Sequence, residues 1–143
     1  MAQPKIRAFL DTNVLLEYLR GKPELQGLFT PEVEARVSFA VNPVVLQEFM
    51  LASGRVQPDV DLATIASHLE VLAAEAFTPS ERLQRLRPVR NFVAHANDLM
   101  ILASSRHCDV LLTYDVKLRE LGESAEIEAE TPEEFLEDLQ LAS

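Results

Sequence analysis

The chain has 143 residues, 48% hydrophobic and 25% charged, with a formal charge of −10, the balance of a single folded domain spanning residues 1–143 with a core of its own. No apolar run approaches the ~20 residues that cross a bilayer, no signal-peptide layout opens the chain, and the lone Cys108 excludes an intramolecular disulfide framework or a cysteine zinc cage. These features predict a cytoplasmic protein in which Cys108 is a small buried hydrophobe. The charge is unevenly spread. From Glu120 to Ser143 there are nine acids and no Lys or Arg, whereas Met1 to Arg119 carries fourteen acids and thirteen bases. The body is close to neutral, so an acidic pI does not exclude a polyanionic substrate.

Apolar strand-like segments alternate with helix signals, which predicts an α/β fold with a mostly parallel sheet. Ile6-Arg7-Ala8-Phe9-Leu10 reads as a strand delivering Asp11 at its end. Val14 to Arg20 reads as a helix stopped by Gly21 and Pro23, and Thr30-Pro31-Glu32 starts a short one. Val37 to Val41 is the second strand, and Asn42-Pro43 is an N-cap followed by proline at the first helical position. The helix it opens places Gln47 and Glu48 among apolar residues. Val60 to Leu69 predicts a further helix and Leu69 to Ala73 a short strand. Thr78-Pro79-Ser80-Glu81 forms a capping box for a helix reaching about Arg87. Asn97-Asp98 opens an apolar helix, Leu99 to His107, and Asp109 to Thr113 is a strand ending at Tyr114-Asp115. Val116 to Leu121 predicts a short helix stopped by Gly122, with an edge strand near Ile127. A second capping box, Thr131-Pro132-Glu133-Glu134, starts the last helix, with Phe135, Leu136 and Leu139 on its apolar side.

Four acids fall at comparable places on this layout. Asp11 and Asp115 follow strands, Glu48 lies in the helix after the second strand, and Asp98 opens the helix before the strand leading to Asp115. Ligands gather outside the carboxyl ends of strands in open parallel sheets. Carboxylates gathered in a dry place repel one another unless a cation joins them. Mg²⁺ suits one or two carboxylates plus waters and substrate phosphate, and such ions stabilise the attacking and leaving oxygens of a phosphodiester. The pattern therefore points to metal-dependent phosphodiester hydrolysis. Each acid has a plainer alternative: Asp11 and Asp115 as helix caps, Glu48 as a solvated or arginine-paired side chain, Asp98 as an acid stabilised by the helix dipole. Only their joint placement favours a site.

The chain also resembles PIN domains, and among them the VapC-type toxin ribonucleases of bacterial toxin–antitoxin pairs. The matching segments are Phe9-Leu10-Asp11-Thr12-Asn13-Val14-Leu15-Leu16, Asn42-Pro43-Val44-Val45-Leu46-Gln47-Glu48, Asn97-Asp98-Leu99-Met100-Ile101-Leu102-Ala103, Leu111-Leu112-Thr113-Tyr114-Asp115 and Thr131-Pro132-Glu133-Glu134-Phe135-Leu136. The resemblance implies a three-layer α/β/α sandwich and an Mg²⁺ or Mn²⁺ site held by Asp11, Glu48, Asp98 and Asp115. It also implies that Asn13 orients the first acid or a water, and that Thr113 is the small polar residue before the last acid. The implied activity is that of an endoribonuclease toxin, with RNA as substrate, a small antitoxin as partner and a homodimer as assembly. Lys117 departs from the pattern, standing two residues after the fourth acid where many members carry a further acid, so the resemblance implies a first metal but leaves open whether one or two bind; the lysine is either a phosphate contact or a solvated side chain.

Arg82, Arg85, Arg87 and Arg90 form the one basic cluster, readable as an RNA-backbone contact or as a solvated face. His95 reads as a substrate or metal contact or as a structural histidine, while His68 and His107 read as structural. The 6% aromatic content without Trp offers no base-stacking platform. Rival functions are a non-catalytic PIN-like binding module, a housekeeping PIN nuclease in RNA processing, and a phosphatase of the haloacid dehalogenase type. The last needs a second Asp two residues after the first, where this chain has Asn13.

Overall fold

The computed structural model describes residues 4–57, 59, 61–78, 80 and 96–141. Most of the helix expected from Thr78 to Arg87, with Arg82, Arg85, Arg87, Arg90 and His95, lies outside them. Among the described residues five strands form one sheet: β1 (Ile6–Leu10), β2 (Val37–Val41), β3 (Leu69–Val71), β4 (Val110–Leu112) and β5 (Ala129–Glu130). The strand order is β3-β2-β1-β4-β5 and every pairing is parallel.

Around the sheet lie α1 (Thr12–Leu19), a 3-10 turn (Pro23–Leu25), α2 (Pro31–Glu34), α3 (Pro43–Val56), α4 (Leu62–Ala66), α5 (Ala96–Ser105), α6 (Val116–Ser124) and α7 (Pro132–Leu141). Right-handed crossovers put α1 and α3 on one face and α5 and α6 on the other, matching the packing of α1 on α3 and of α5 on α6. The result is the three-layer α/β/α sandwich that the sequence predicts. Helices on both faces also explain why the strands read as near-continuous apolar runs. Ala8, Phe9, Leu10, Phe39, Ala40, Val41, Leu111 and Leu112 are all buried. Leu15, Val45, Phe49, Leu102 and Leu118 close the core from the helices, each contributing about 1.5–3 kcal/mol by leaving water.

The caps follow the sequence closely. Asn42 Oδ1 accepts from Val45 N at 3.0 Å, Thr30 Oγ1 from Val33 N at 3.4 Å and Thr131 Oγ1 from Glu134 N at 3.2 Å. Glu134 returns the contact through its carboxylate on the Thr131 hydroxyl, 2.9 Å away.

Two elements depart from expectation. The first is α6, which runs through Gly122 to Ser124. Gly122 is needed for close approach rather than for a stop. A Cβ there would lie 3.3 Å from Ile127 O and 3.5 Å from the Ala129 side chain. The chain turns instead at Glu126, in the left-handed region at φ 61°, and the expected edge strand begins at Ala129. The helix expected from Val60 to Leu69 shortens to Leu62–Ala66.

Cys108 is half-buried beside Arg7 and Asp109, and desolvation pushes its thiol up to about 11. His68 pairs with Glu34 at 2.7 Å and stacks on Phe29, and His107 meets Glu75 at 2.8 Å. Each histidine thus has a carboxylate partner within the fold. Among the described residues no helix is long and apolar enough to cross a membrane.

Candidate active site

The sheet order reverses at β1: one run of chain leads from it through β2 to β3, the other returns to β4 on its opposite side. This topological switch point opens a crevice outside the carboxyl ends of β1 and β4. Asp11 is the first residue beyond β1, and its backbone N–H donates to Leu112 O at 3.1 Å. The acid is thereby locked to the end of β4.

Asp11 is only 7% exposed. Its Oδ1 accepts from Thr12 N and its Oδ2 from Thr113 Oγ1, both at 2.7 Å. Burial nevertheless pushes its carboxyl up to about 6; the two hydrogen bonds oppose that rise, and the negative charges of Glu48 and Asp98 add to it. Glu48 and Asp98 thus both bear on Asp11 from elements far from it in sequence. Glu48 is half-buried on α3, where its Oε1 accepts from Thr12 Oγ1 at 3.0 Å. Among the described residues neither Asp11 nor Glu48 is paired with a lysine or arginine, so the arginine-paired alternative for Glu48 finds no support there.

Asp115 is the N-cap of α6, its Oδ1 accepting from Lys117 N at 2.9 Å and Leu118 N at 3.2 Å. It joins Asp11 through Thr113, whose hydroxyl donates to Asp11 Oδ2 while accepting from Asp115 N at 3.1 Å. Asn13 spans the same junction. Its Nδ2 donates to Thr113 Oγ1 at 3.4 Å and its Oδ1 accepts from Tyr114 N at 3.3 Å. Asn13 therefore acts on the turn carrying Asp115 rather than directly on Asp11.

The side chains do not form a ready-made cage. Among the described residues no three His, Cys, Asp or Glu groups stand close enough together to hold a metal ion as they lie. The chemistry of the donor set still suits a hard cation, since a buried carboxylate raised by its own burial and by two neighbouring acids would be relieved by positive charge. Lys117 is exposed, and only its backbone N–H takes part in the junction.

Several contributors are not assigned by sequence reasoning. Thr12 holds Glu48 through its hydroxyl, and Arg119 Nη1 donates to Thr113 O at 2.9 Å. Tyr114 OH donates to Glu133, while Lys22 Nζ lies 3.2 Å from both that hydroxyl and Glu133 Oε1. This last contact ties the C-terminal helix to the β4–α6 turn. Only Thr12 carries a signal in sequence, a hydroxyl adjacent to the first acid at a strand–helix junction.

The comparisons agree with this fold. A chain of the crystal structure of VapBC2 from Rickettsia felis bound to a DNA fragment from their promoter superposes with a TM-score of 0.61, at 16% identity, over 88% of this chain and 98% of that one. No curated protein matches the sequence. The family model described as PIN domain matches residues 8–124, a span holding all four acids, and the chain belongs to the PIN domain family.

Proposed function

We propose that this chain is a metal-dependent endoribonuclease, the toxin of a toxin–antitoxin pair, in which Asp11, Glu48, Asp98 and Asp115 hold Mg²⁺ or Mn²⁺. The observation that carries the reading is the buried Asp11 carboxylate at the switch point, raised by burial and by Glu48 and Asp98 and lacking a basic counter-charge among the described residues. PIN domains are generally nucleases, and the structural neighbour comes from a VapBC complex. The first supports a nuclease activity, for which we take RNA as substrate, and the second supports a small antitoxin as partner. The homodimer is retained by analogy alone.

In this mechanism the bound ion supplies charge stabilisation for the oxygens that attack and leave the phosphorus. The chain supplies placement. Thr113 and the Thr12 backbone fix both oxygens of Asp11, and Thr12 Oγ1 holds Glu48 toward it. Asn13 and Thr113 fix the turn that presents Asp115. Glu48, Asp98 and Asp115 would complete the ion's ligand set with Asp11.

Cleavage of a fluorogenic single-stranded RNA, followed with Mn²⁺ and with chelator, tests the assignment. Asp11→Asn and Asp98→Asn should each abolish cleavage with an unchanged circular dichroism spectrum; variants that cut like the parent would overturn it. Calorimetric titration with Mn²⁺ separates the enzyme from a non-catalytic PIN-like module, which would take up no ion. A housekeeping nuclease would cut RNA equally well, yet would not be restrained by a small protein encoded beside it.

A further inference from the structure

Glu48 and Asp98 sit on different helices, α3 and α5, and α3 packs chiefly on α1. A polar bridge joins the two helices inside the protein. Asn42, at the carboxyl end of β2, is 0% exposed. Its Oδ1 caps α3 through Val45 N, while its Nδ2 donates to Met100 O at 3.2 Å and to Ser104 Oγ at 2.9 Å, both on α5. Ser104, also fully buried, passes its own proton to Ala73 O at 3.0 Å, just past β3.

A helix cap needs only the oxygen of Asn42; serine, threonine or aspartate would serve as well. The amide nitrogen does something a cap does not require. It fixes the start of α3, six residues before Glu48, against the stretch of α5 that begins two residues after Asp98. The bond to Ser104 is fully buried and that to Met100 partly so, a setting in which a hydrogen bond is stronger than in water.

We propose that Asn42 and Ser104 are positioning residues that set the spacing of Glu48 and Asp98, and through it the affinity of the site for a divalent cation. The inference rests on the metal reading above. It extends that reading to two residues that touch neither ion nor substrate.

Asn42→Ser keeps a capping oxygen and removes both donations to α5, and Ser104→Ala removes one of them together with the link to Ala73. Val37→Ala, a cavity at the amino end of β2, controls for general loss of stability. The dissociation constant for Mn²⁺ would be measured by electron paramagnetic resonance, well below the melting temperature of every variant. Partners that orient metal ligands typically govern 10–100-fold in affinity, so Asn42→Ser should weaken binding about tenfold and Ser104→Ala less. Val37→Ala should bind like the parent. Parent-like affinity in both bridge variants overturns the proposal, and so does an equal loss in Val37→Ala at matched melting temperature. Should Asn42→Ser fail to fold, Ser104→Ala alone decides in the same way. A parent protein that binds no Mn²⁺ overturns the metal reading itself and the bridge's role with it, a result distinct from the others.

Discussion

Replacing Asp11 by asparagine should stabilise the metal-free protein at neutral pH, although it should abolish activity. The ordinary aspartate value is 3.8, and in the fold Asp11 lies at about 6. Its folded-state value is therefore raised, so the folded protein holds this proton more tightly than the unfolded chain. Stability from this group grows as pH falls from above about 6 toward 3.8 and is lost as pH rises through about 6. At roughly 1.4 kcal/mol per pH unit, the ionised group opposes folding by about 3 kcal/mol at pH 7.5. An amide escapes that cost. It brings one of its own, because Thr113 Oγ1 already accepts from Asn13 Nδ2 and Asp115 N and now donates to Asp11 Oδ2. Its two lone pairs are taken, and an amide NH₂ in place of Oδ2 forfeits that bond, about 1 kcal/mol. The net gain is about 2 kcal/mol, or about 4–8 °C in Tm for a domain of this size.

The assay is thermal unfolding in EDTA at pH 7.5 and pH 5. At pH 5 most of the parent's Asp11 is already protonated, and the two proteins should melt within about 2 °C of each other. Saturating Mn²⁺ should raise the parent alone, by about 2.7 kcal/mol at a hundredfold excess over Kd, and reverse the order. An Asp11→Asn variant that melts below the parent at pH 7.5 in EDTA, or by the same margin at both pH values, would refute the electrostatic account.

Asp115→Ala should cost about 1 kcal/mol through loss of the α6 cap, while Asp115→Asn keeps a capping oxygen and should melt like the parent, yet both should lose RNA cleavage. Gly122→Ala, ordinarily worth up to about 1 kcal/mol of helix propensity, should instead lower the urea midpoint, because the new Cβ meets Ile127 O at 3.3 Å. Thr113→Val should strand Asp11 Oδ2, cost about 1–3 kcal/mol, and move the pH midpoint of stability above that of the parent. Thr113→Ser should restore both.

Much of this was legible in the residues, for identifiable reasons. Proline after a capping Asn or Thr fixed the starts of α2, α3 and α7, since those backbone preferences are local. The parallel sheet followed from the alternation of apolar strand segments with helix signals along the chain. The end of α6 was not legible: whether Gly122 stops a helix or admits a neighbour depends on Ile127 and Ala129 folding back against it. The site divides likewise. Acids at strand ends are visible in one dimension, and Asn42 is visible as a cap. That its amide also reaches Met100 and Ser104, or that the Thr12 hydroxyl reaches Glu48 across 36 positions, follows only from how the layers close.

Asp11 and Asp115 look alike in sequence, each an acid at a strand–helix junction, and the choice for each is framed as helix cap or metal ligand. The oxygens show that the choice is not exclusive. Asp115 makes both of its capping bonds with Oδ1, and Glu48 meets Thr12 with Oε1. Among the described residues Asp115 Oδ2 and Glu48 Oε2 are committed to no hydrogen bond. A carboxylate carries about four lone-pair positions. One oxygen can therefore hold the backbone or a hydroxyl, restricting the side chain to a narrow arc, while the other stays available to a cation. In the proposed site the hydrogen bonds would reduce the entropy that a ligand side chain loses on binding an ion, and the cap would become part of the ligand's preparation. Asp11 differs in having both oxygens engaged and in being the most deeply buried of the three. Its two hydrogen bonds hold it in place without an ion, so in the proposed site the acids on α3, on α5 and at the start of α6 would be the ones to adjust around it.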